Sequence, residues 1–216
     1  ALLLKNAGYE VIGVTMVLFD DSSIEVGCLS TNASADAKLV CDKLGIEHHV
    51  IDLKDEFKKR VINNFIDCYK NGTTPNPCVE CNKYLKFGAL YEYAKQIGCD
   101  YIATGHYAKV KDGKLMKSEA KEKDQSYFLY GIKKEILNNI LFPLADFNNK
   151  EEIRKIALDN DLVVARKKDS QEICFIPNDD YISYLENNIN EDILSGDICL
   201  KDGTILGKHN GLIHYT

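Results

Sequence analysis

Apolar, strand-like runs alternate with amphipathic helical stretches closed by glycine, and this alternation constrains the fold more than any other feature of the chain. From Glu10 to Phe19 the residues Val11, Ile12, Val14, Val17 and Leu18 make a near-continuous apolar run, the pattern of a strand covered on both faces in a parallel sheet. Ser34 to Leu44 reads as a helix stopped by Gly45, and His48 to Leu53 as the next strand. Glu56 to Lys70 follows as a helix with Phe57, Val61, Phe65 and Ile66 on one face and Gly72 at its end. Tyr84 to Ile97 is a third helix, and Asp100 to Thr104 a strand leading into Gly105-His106-Tyr107. This order predicts an α/β fold, a parallel sheet with helices on both faces, right-handed crossovers and ligand sites at the carboxyl ends of the strands.

Beyond that point the pattern changes. Gly113 marks a hairpin turn, and Lys133 to Ile140 and Lys150 to Asn160 read as helices separated by Phe142-Pro143-Leu144. From about Ile193 the chain becomes glycine-punctuated and alternating, with Asp202-Gly203 as a hairpin signal between Ile198-Cys199-Leu200 and Thr204-Ile205-Leu206. Residues 1–178 are therefore read as one α/β domain and 179–216 as the opening of a small β-containing one. Ala1 to Asn6 reads as the tail of a helix whose beginning lies upstream.

With 216 residues, 45% of them hydrophobic, the chain can build a real core. No stretch approaches the roughly 20 apolar residues that span a bilayer, and no signal-peptide pattern is seen, so a cytoplasmic, non-membrane protein is expected. Eight irregularly spaced cysteines fit a reducing compartment better than a secreted disulfide framework. Cys28, Cys41, Cys68, Cys99 and Cys199 are expected to be packing residues, since free cysteine is among the most buried types. The net charge of -6 is a weak argument against nucleic acid as a partner, since phosphate contact is normally supplied by a basic face. Locally, however, lysines at 109, 111, 114, 117, 121 and 123 outnumber Asp112, Glu119 and Glu122, and Arg166-Lys167-Lys168 forms a second basic run. A solvated surface and a polyanion contact both remain open readings for these lysines.

Chemistry concentrates in two short segments, Thr74-Pro75-Asn76-Pro77-Cys78-Val79-Glu80-Cys81-Asn82 and Lys168-Asp169-Ser170-Gln171-Glu172-Ile173-Cys174-Phe175. The Cys78-x-x-Cys81 pair has three readings. As half of a zinc site it lacks a second Cys-x-x-Cys or a His pair, and as a thioredoxin-like motif it follows a helix rather than the first strand of a βαβ unit. The third reading is a nucleophile at a helix start: Cys81 precedes a helix expected to begin near Asn82, where unpaired N–H groups and Lys83 and Lys86 favour thiolate. A thiol at about pKa 8.5 is only slightly ionised at neutral pH, and a depression of about two units makes it mostly thiolate.

Five motifs carry a specific resemblance: Thr74 through Lys83; Lys86-Phe87-Gly88-Ala89; Ala103-Thr104-Gly105-His106-Tyr107-Ala108; Lys123-Asp124-Gln125-Ser126-Tyr127-Phe128-Leu129-Tyr130; and Lys168 through Ile176. In this order they resemble the bacterial tRNA-specific 2-thiouridylase family, nearly end to end, and Leu206-Gly207-Lys208-His209-Asn210-Gly211-Leu212 resembles that family's central domain. The resemblance implies an adenine-nucleotide alpha-hydrolase-like fold of the PP-loop ATPase type. It implies an ATP- and Mg2+-dependent transfer of sulfur to C2 of a tRNA wobble uridine, with a cysteine desulfurase or relay protein as sulfur donor. By matching position, Cys174 carries a persulfide and Cys81 is the partner nucleophile, which frees sulfide or ends in a disulfide with Cys174. The resemblance also implies that Asn76, Pro77 and Cys78 lie beside the target base, that Lys123, Asp124 and Gln125 contact tRNA, and that Met16 and Gly105 match adenosine-contacting positions.

Two departures from the family pattern matter. Its phosphate-binding Ser-Gly-Gly-x-Asp-Ser loop is expected just before Ala1, and its C-terminal β-barrel beyond Thr216, so the chain alone is not expected to turn over. Cys78 stands where many relatives carry Asp, adding a third soft ligand near Cys81 and Cys174. Three thiolates can hold a [4Fe-4S] cluster with one open iron, and an RNA-binding module stabilised by iron-sulfur or zinc at those cysteines is the competing reading. His106, after a strand end, reads either as a phosphate or ribose contact or as a hydrogen-bonded loop histidine.

Overall fold

In the computed structural model, which describes residues 1–19, 31–167 and 173–215, a short helix α1 (Leu2–Asn6) leads to strand β1 (Ile12–Val17), helix α2 (Thr31–Leu44) and strand β2 (Glu47–Asp52). β1 and β2 pair in parallel, from Ile12 opposite Glu47 to Val17 opposite Asp52. The crossover helix lies directly on β1 because residue 13 is glycine: a Cβ there would collide with the Sγ of Cys41, itself 5% exposed. The Lys5 ammonium donates to the Leu44 carbonyl at the end of α2, where a cation complements the helix dipole. Thr15 Oγ1 and His48 Nε2 hydrogen-bond across the strand pair at 2.8 Å.

Helix α3 runs over residues 54–70 as Lys54–Phe57, a π-helical stretch Lys58–Ile62 and Asn63–Lys70. Helix α4 runs over residues 77–96 as Pro77–Glu80, a π-helical stretch Cys81–Ala89 and Leu90–Gln96. Phe57, Val61, Phe65 and Tyr69, four residues apart on α3, form one buried stripe, the apolar face that helical periodicity dictates. They join Leu18, Leu85, Phe175, Ile176, Leu185 and Ile213 in a first core cluster. The guanidinium of Arg60, bonded to Glu56 at 2.9 Å, covers the Tyr84 ring at 4.8 Å and laces α3 to α4.

Strand β3 (Ile102–Ala103) is followed by the antiparallel hairpin β4 (Ala108–Lys111) and β5 (Lys114–Lys117), and then by β6 (Ile140–Leu141), which pairs in parallel with β3. A second cluster of Phe87, Leu90, Ile102, Ala108, Leu129, Leu137, Ile140, Phe142 and Ala145 fills this half. Val14, Met16 and Ile51 from the first strand pair pack against it, and Met16 touches both clusters. Helix α5 (Lys150–Asp159) is capped by Asn149 and helix α6 (Tyr181–Asn188) by Asp180, both through side-chain oxygens that accept first-turn N–H groups. The antiparallel pair β7 (Gly196–Cys199) and β8 (Ile205–His209) carries an irregularity between Ile198 and Cys199.

The βαβα alternation of the sequence is present, with four departures. β1 is half-buried rather than covered on both faces. Among the described residues its edge away from β2 pairs with no strand, and with Ala103 and Leu141 it borders a cleft of about 460 Å³ also lined by Tyr9, Cys99 and Tyr101. Residues 134–139 form a 3-10 helix and Ile140 enters β6. There, parallel pairing with β3 and a hydrogen bond of 3.0 Å from Asn139 Nδ2 to the Asp100 carbonyl outweigh the helical pattern. The helix read from Tyr84 begins at Pro77. Of the cysteines expected to be packing residues, Cys41 is buried, Cys68 and Cys99 are half-buried, and Cys199 is exposed on β7; Cys28 lies outside the described residues.

The Gly13–Cys41 contact makes a direct test of this packing. Gly13→Ala is expected to lower stability by about 1–3 kcal/mol through overpacking, measured by urea unfolding. Cys41→Ala in the same chain recovers part of that loss, so the double mutant is more stable than the sum of the single effects implies; strict additivity would contradict the contact.

Candidate functional site

Asn76 and Pro77 set where the first cysteine pair lies. The Asn76 side-chain oxygen accepts the Val79 N–H at 3.3 Å as an N-cap, and Pro77 occupies the first helical position, both favoured there. The helix therefore starts before the cysteines rather than after them. Cys78 falls in the first turn, at the positive end of the helix dipole, while Cys81 lies a turn further in, so the dipole argument made for Cys81 applies to Cys78 instead. Pro77 and Val79 are buried, which turns Cys78 to solvent, whereas Cys81 is half-buried and packs against the first core cluster.

The π-helical stretch from Cys81 to Ala89 depends on Gly88, where a Cβ would stand 3.1 Å from the Lys83 carbonyl oxygen. A wide turn of this kind shifts the register of the side chains it carries. Beside Cys81, Asn82 is 2% exposed. Its Nδ2 donates to the Phe128 carbonyl at 2.9 Å, and its Oδ1 has no hydrogen-bond partner among the described residues. This bond ties α4 to the 3-10 turn Ser126–Leu129.

The second cysteine is positioned by its neighbour. Phe175 is 3% exposed, and its ring meets Phe57 at 5.6 Å, Phe65 at 5.4 Å and Tyr184 at 5.5 Å, all edge-on. Each such pair contributes about 0.5–1.5 kcal/mol beyond the area it buries. Ile173 and Cys174 are half-buried against the same cluster. Cys81 and Cys174 therefore pack on one apolar cluster, although they are far apart in sequence; residues 168–172 of the second motif lie outside the described residues. Cys78 is exposed and is not part of that cluster. Among the described residues no three His, Cys, Asp or Glu side chains are grouped so as to hold a metal ion, so the expected [4Fe-4S] ligand set of Cys78, Cys81 and Cys174 is not assembled. The physical reason is the rotation of Cys78 to the solvent side of the helix.

Met16 and Gly105 lie at the carboxyl ends of β1 and β3, the position where open α/β sheets bind ligands. Gly105 is exposed, it has no positive φ, and a Cβ on it would meet only Leu144 at an ordinary 3.8 Å. Neither turn geometry nor crowding requires glycine at this point. His106 Nδ1 and Thr104 Oγ1 are 2.8 Å apart, and the rings of Phe87 and Phe142 flank the imidazole at 6.1 Å. Burial, with a smaller contribution from Lys86, pushes the His106 pKa down to about 3, so the ring is neutral at physiological pH.

Asp124 and Gln125 are engaged inside the protein. Asp124 accepts the Ser118 N–H at 2.9 Å and the Ser126 hydroxyl at 2.7 Å. Gln125 Oε1 accepts the Tyr107 N–H at 3.0 Å, and its own N–H donates to the Tyr107 carbonyl at 2.8 Å. Lys123 is exposed. Burial, with smaller contributions from Arg154 and Lys123, holds the Lys150 pKa below its ordinary value.

Two parallel strand pairs in an α/β arrangement, with two cysteines packed on one core cluster, define the class. The family described as "tRNA methyl transferase HUP domain" matches residues 1–178, and the chain belongs to that family. Relatives named "tRNA-specific 2-thiouridylase MnmA" align over all of this chain. The Clostridioides difficile (strain 630) protein is 45% identical over 225 residues, and that of Clostridium botulinum (strain Eklund 17B / Type B) 48% over 224. The Acetivibrio thermocellus protein is 46% identical over 227 residues. The chain spans about 62% of the length of the first two relatives and 63% of the third.

Sequence reading overlooked Asn82 as the link between the two loops. Its only signal was a polar residue at an inward-facing helical position. The depressed His106 pKa has a measurable consequence. An unfolded histidine titrates near pKa 6.5, so the unfolded chain binds the extra proton first, and stability falls as pH drops from about 6.5 toward about 3. His106→Gln is expected to show a shallower loss of urea stability over that window; equal slopes would contradict a buried neutral ring.

Proposed function

We propose that the full-length protein is an ATP-dependent tRNA-uridine 2-sulfurtransferase of the cytoplasm, and that this chain supplies its two sulfur-handling cysteines. The observation that carries the reading is the shared seat of Cys81 and Cys174 on one apolar cluster. Residues 1–178 act as the catalytic domain, and residues 179–216 open a second, β-containing unit. The comparisons support the substrate class through the names their relatives carry.

With Mg2+ bound to ATP, the C2 oxygen of the wobble uridine attacks the α-phosphorus as N3 gives up its proton, the α–β phosphoanhydride bond breaks and pyrophosphate leaves, so that the C2 oxygen can later depart as part of AMP. In this chain Met16 and Gly105 contact the adenosine. A cysteine desulfurase or relay protein passes one sulfur atom to the Cys174 thiolate, giving a persulfide on Cys174. The terminal sulfur attacks C2, the C2–O bond breaks and AMP leaves. The Cys81 thiolate then attacks Sγ of Cys174, which breaks the sulfur–sulfur bond, leaves sulfur on C2 and closes a Cys81–Cys174 disulfide. An external thiol reduces that disulfide for the next cycle. Half-burial of both cysteines against aromatic and aliphatic groups limits the access of water, which would otherwise hydrolyse the adenylate.

Asn76, Pro77 and Cys78, at the start of α4 where Cys78 faces solvent, lie beside the flipped uridine, and Lys123, with the loop of Asp124 and Gln125, contacts the RNA. A base in an anticodon loop is already single-stranded, so its extrusion costs little. The competing reading, a module stabilised by iron-sulfur or zinc, needs a gathered thiol set and is not favoured.

The test is thiolation of tRNA by the full-length protein, read by mass spectrometry of digested nucleosides. Cys174→Ser and Cys81→Ser are each expected to reduce 2-thiouridine to background while leaving thermal stability within about 1 kcal/mol of the parent, as half-buried conservative changes do. Undiminished thiolation in Cys174→Ser would refute the assignment.

A further inference from the structure

The turn that follows Gln125 sorts its aromatic side chains in two directions. Leu129 is fully buried and Phe128 half-buried, while Tyr127 and Tyr130 are 66% and 68% exposed. Their ring centroids stand 6.1 Å apart. Solvent-facing rings of this size make no contribution to the core, and isolated exposed apolar residues need no explanation. A pair held at this spacing on a rigid turn is a different matter.

The rigidity has identifiable sources. Asn82 Nδ2 holds the Phe128 carbonyl, the Phe128 N–H donates to the Gln125 carbonyl and the Ile132 N–H to that of Leu129, and Asp124 holds the Ser126 hydroxyl. Both tyrosines therefore project from a turn whose backbone is fixed in advance, which lowers the entropic cost of binding. A cation borders them. Gly131 lies against the stem of Lys83, where an added Cβ would stand 3.3 Å from its side-chain carbons, and the Lys83 ammonium sits 4.6 Å over the Tyr84 ring. Glu80 is the acidic neighbour of that ammonium.

We propose that Tyr127 and Tyr130 form a stacking subsite for unpaired RNA bases next to the extruded uridine, with Lys83 facing the adjacent phosphate. The inference rests on the functional reading above and extends it to residues that reading does not use. Extruding one base from a loop deprives its neighbours of a stacking partner. Aromatic faces on the turn bonded to Asn82, the neighbour of Cys81, replace that partner without reading sequence, because every base presents a π-face. Two tyrosines edged by a lysine fit a single strand better than a duplex, whose bases are closed to stacking from the side.

The experiment measures binding of the full-length protein to a short RNA hairpin with a single-stranded loop and to a fully paired duplex of equal length, by fluorescence anisotropy at several salt concentrations. Tyr127→Ala and Tyr130→Ala are each expected to weaken hairpin binding about tenfold, with duplex binding and the salt slope unchanged, and Tyr→Phe is expected to retain hairpin affinity. Lys83→Ala instead reduces the salt slope. As a readout independent of the truncated variants, 3-fluorotyrosine at either position shifts its 19F resonance on addition of the hairpin and not of the duplex. Alanine variants that bind the hairpin like the parent, or unshifted fluorine signals while the hairpin binds, overturn the subsite and leave the functional reading intact. Failure of the parent to bind either RNA overturns both.

Discussion

The Phe175 ring is the fixed point on which the rest of the arrangement turns. It is inserted edge-on among Phe57, Phe65 and Tyr184, and a buried Phe contributes about 1.5–3 kcal/mol from area alone. A segment that would otherwise be a surface loop is thereby held against α3, and the thiol one residue earlier is held with it. The apolar stripe of α3 faces α4 as well, through Leu85. Packing with no polar specificity of its own thus seats Cys81 and Cys174 on the same apolar cluster.

The two strand pairs extend that logic to the substrate side. Met16 belongs to both core clusters, so the carboxyl end of β1 is mechanically joined to the aromatic cluster beneath Cys174 and to the layer under β3. Gly105 follows β3, and the Gly105–Tyr107 loop is stitched to Gln125 by paired hydrogen bonds. Asn82 completes the circuit by bonding the helix of Cys81 to the turn beyond Gln125. The residues assigned to nucleotide, base and sulfur therefore belong to one connected framework rather than to independent loops.

Much of this was legible in sequence, and for physical reasons. Strands and helices announce themselves through apolar period, so β1, β2, α2 and the Phe57, Val61 and Phe65 stripe were readable, as was the Asp202-Gly203 turn, while Tyr69 at the end of that stripe was not read. Capping is a local signal, and the Asn76-Pro77 pair held the true start of α4, but the apolar pattern downstream drew the boundary too late. Residues 134–141 failed differently: their fate is decided by pairing with β3, which no local window contains. That Cys81 and Cys174 share a cluster is a tertiary fact, suggested beforehand only by family resemblance. The solvent-facing position of Cys78 depends on Pro77 and Val79 being buried around it, and the orphaned Asn82 oxygen has no sequence signature at all.

The central claim, that the sulfurs of Cys81 and Cys174 can meet over their common cluster, is tested most directly by oxidative cross-linking. The folded protein is treated with diamide, digested under conditions that prevent thiol exchange, and mapped by mass spectrometry. The account predicts a dominant Cys81–Cys174 disulfide peptide, lost on prior unfolding, with Cys78 remaining reactive to alkylation. Cross-links that pair Cys81 with other cysteines while Cys174 stays reduced would contradict it.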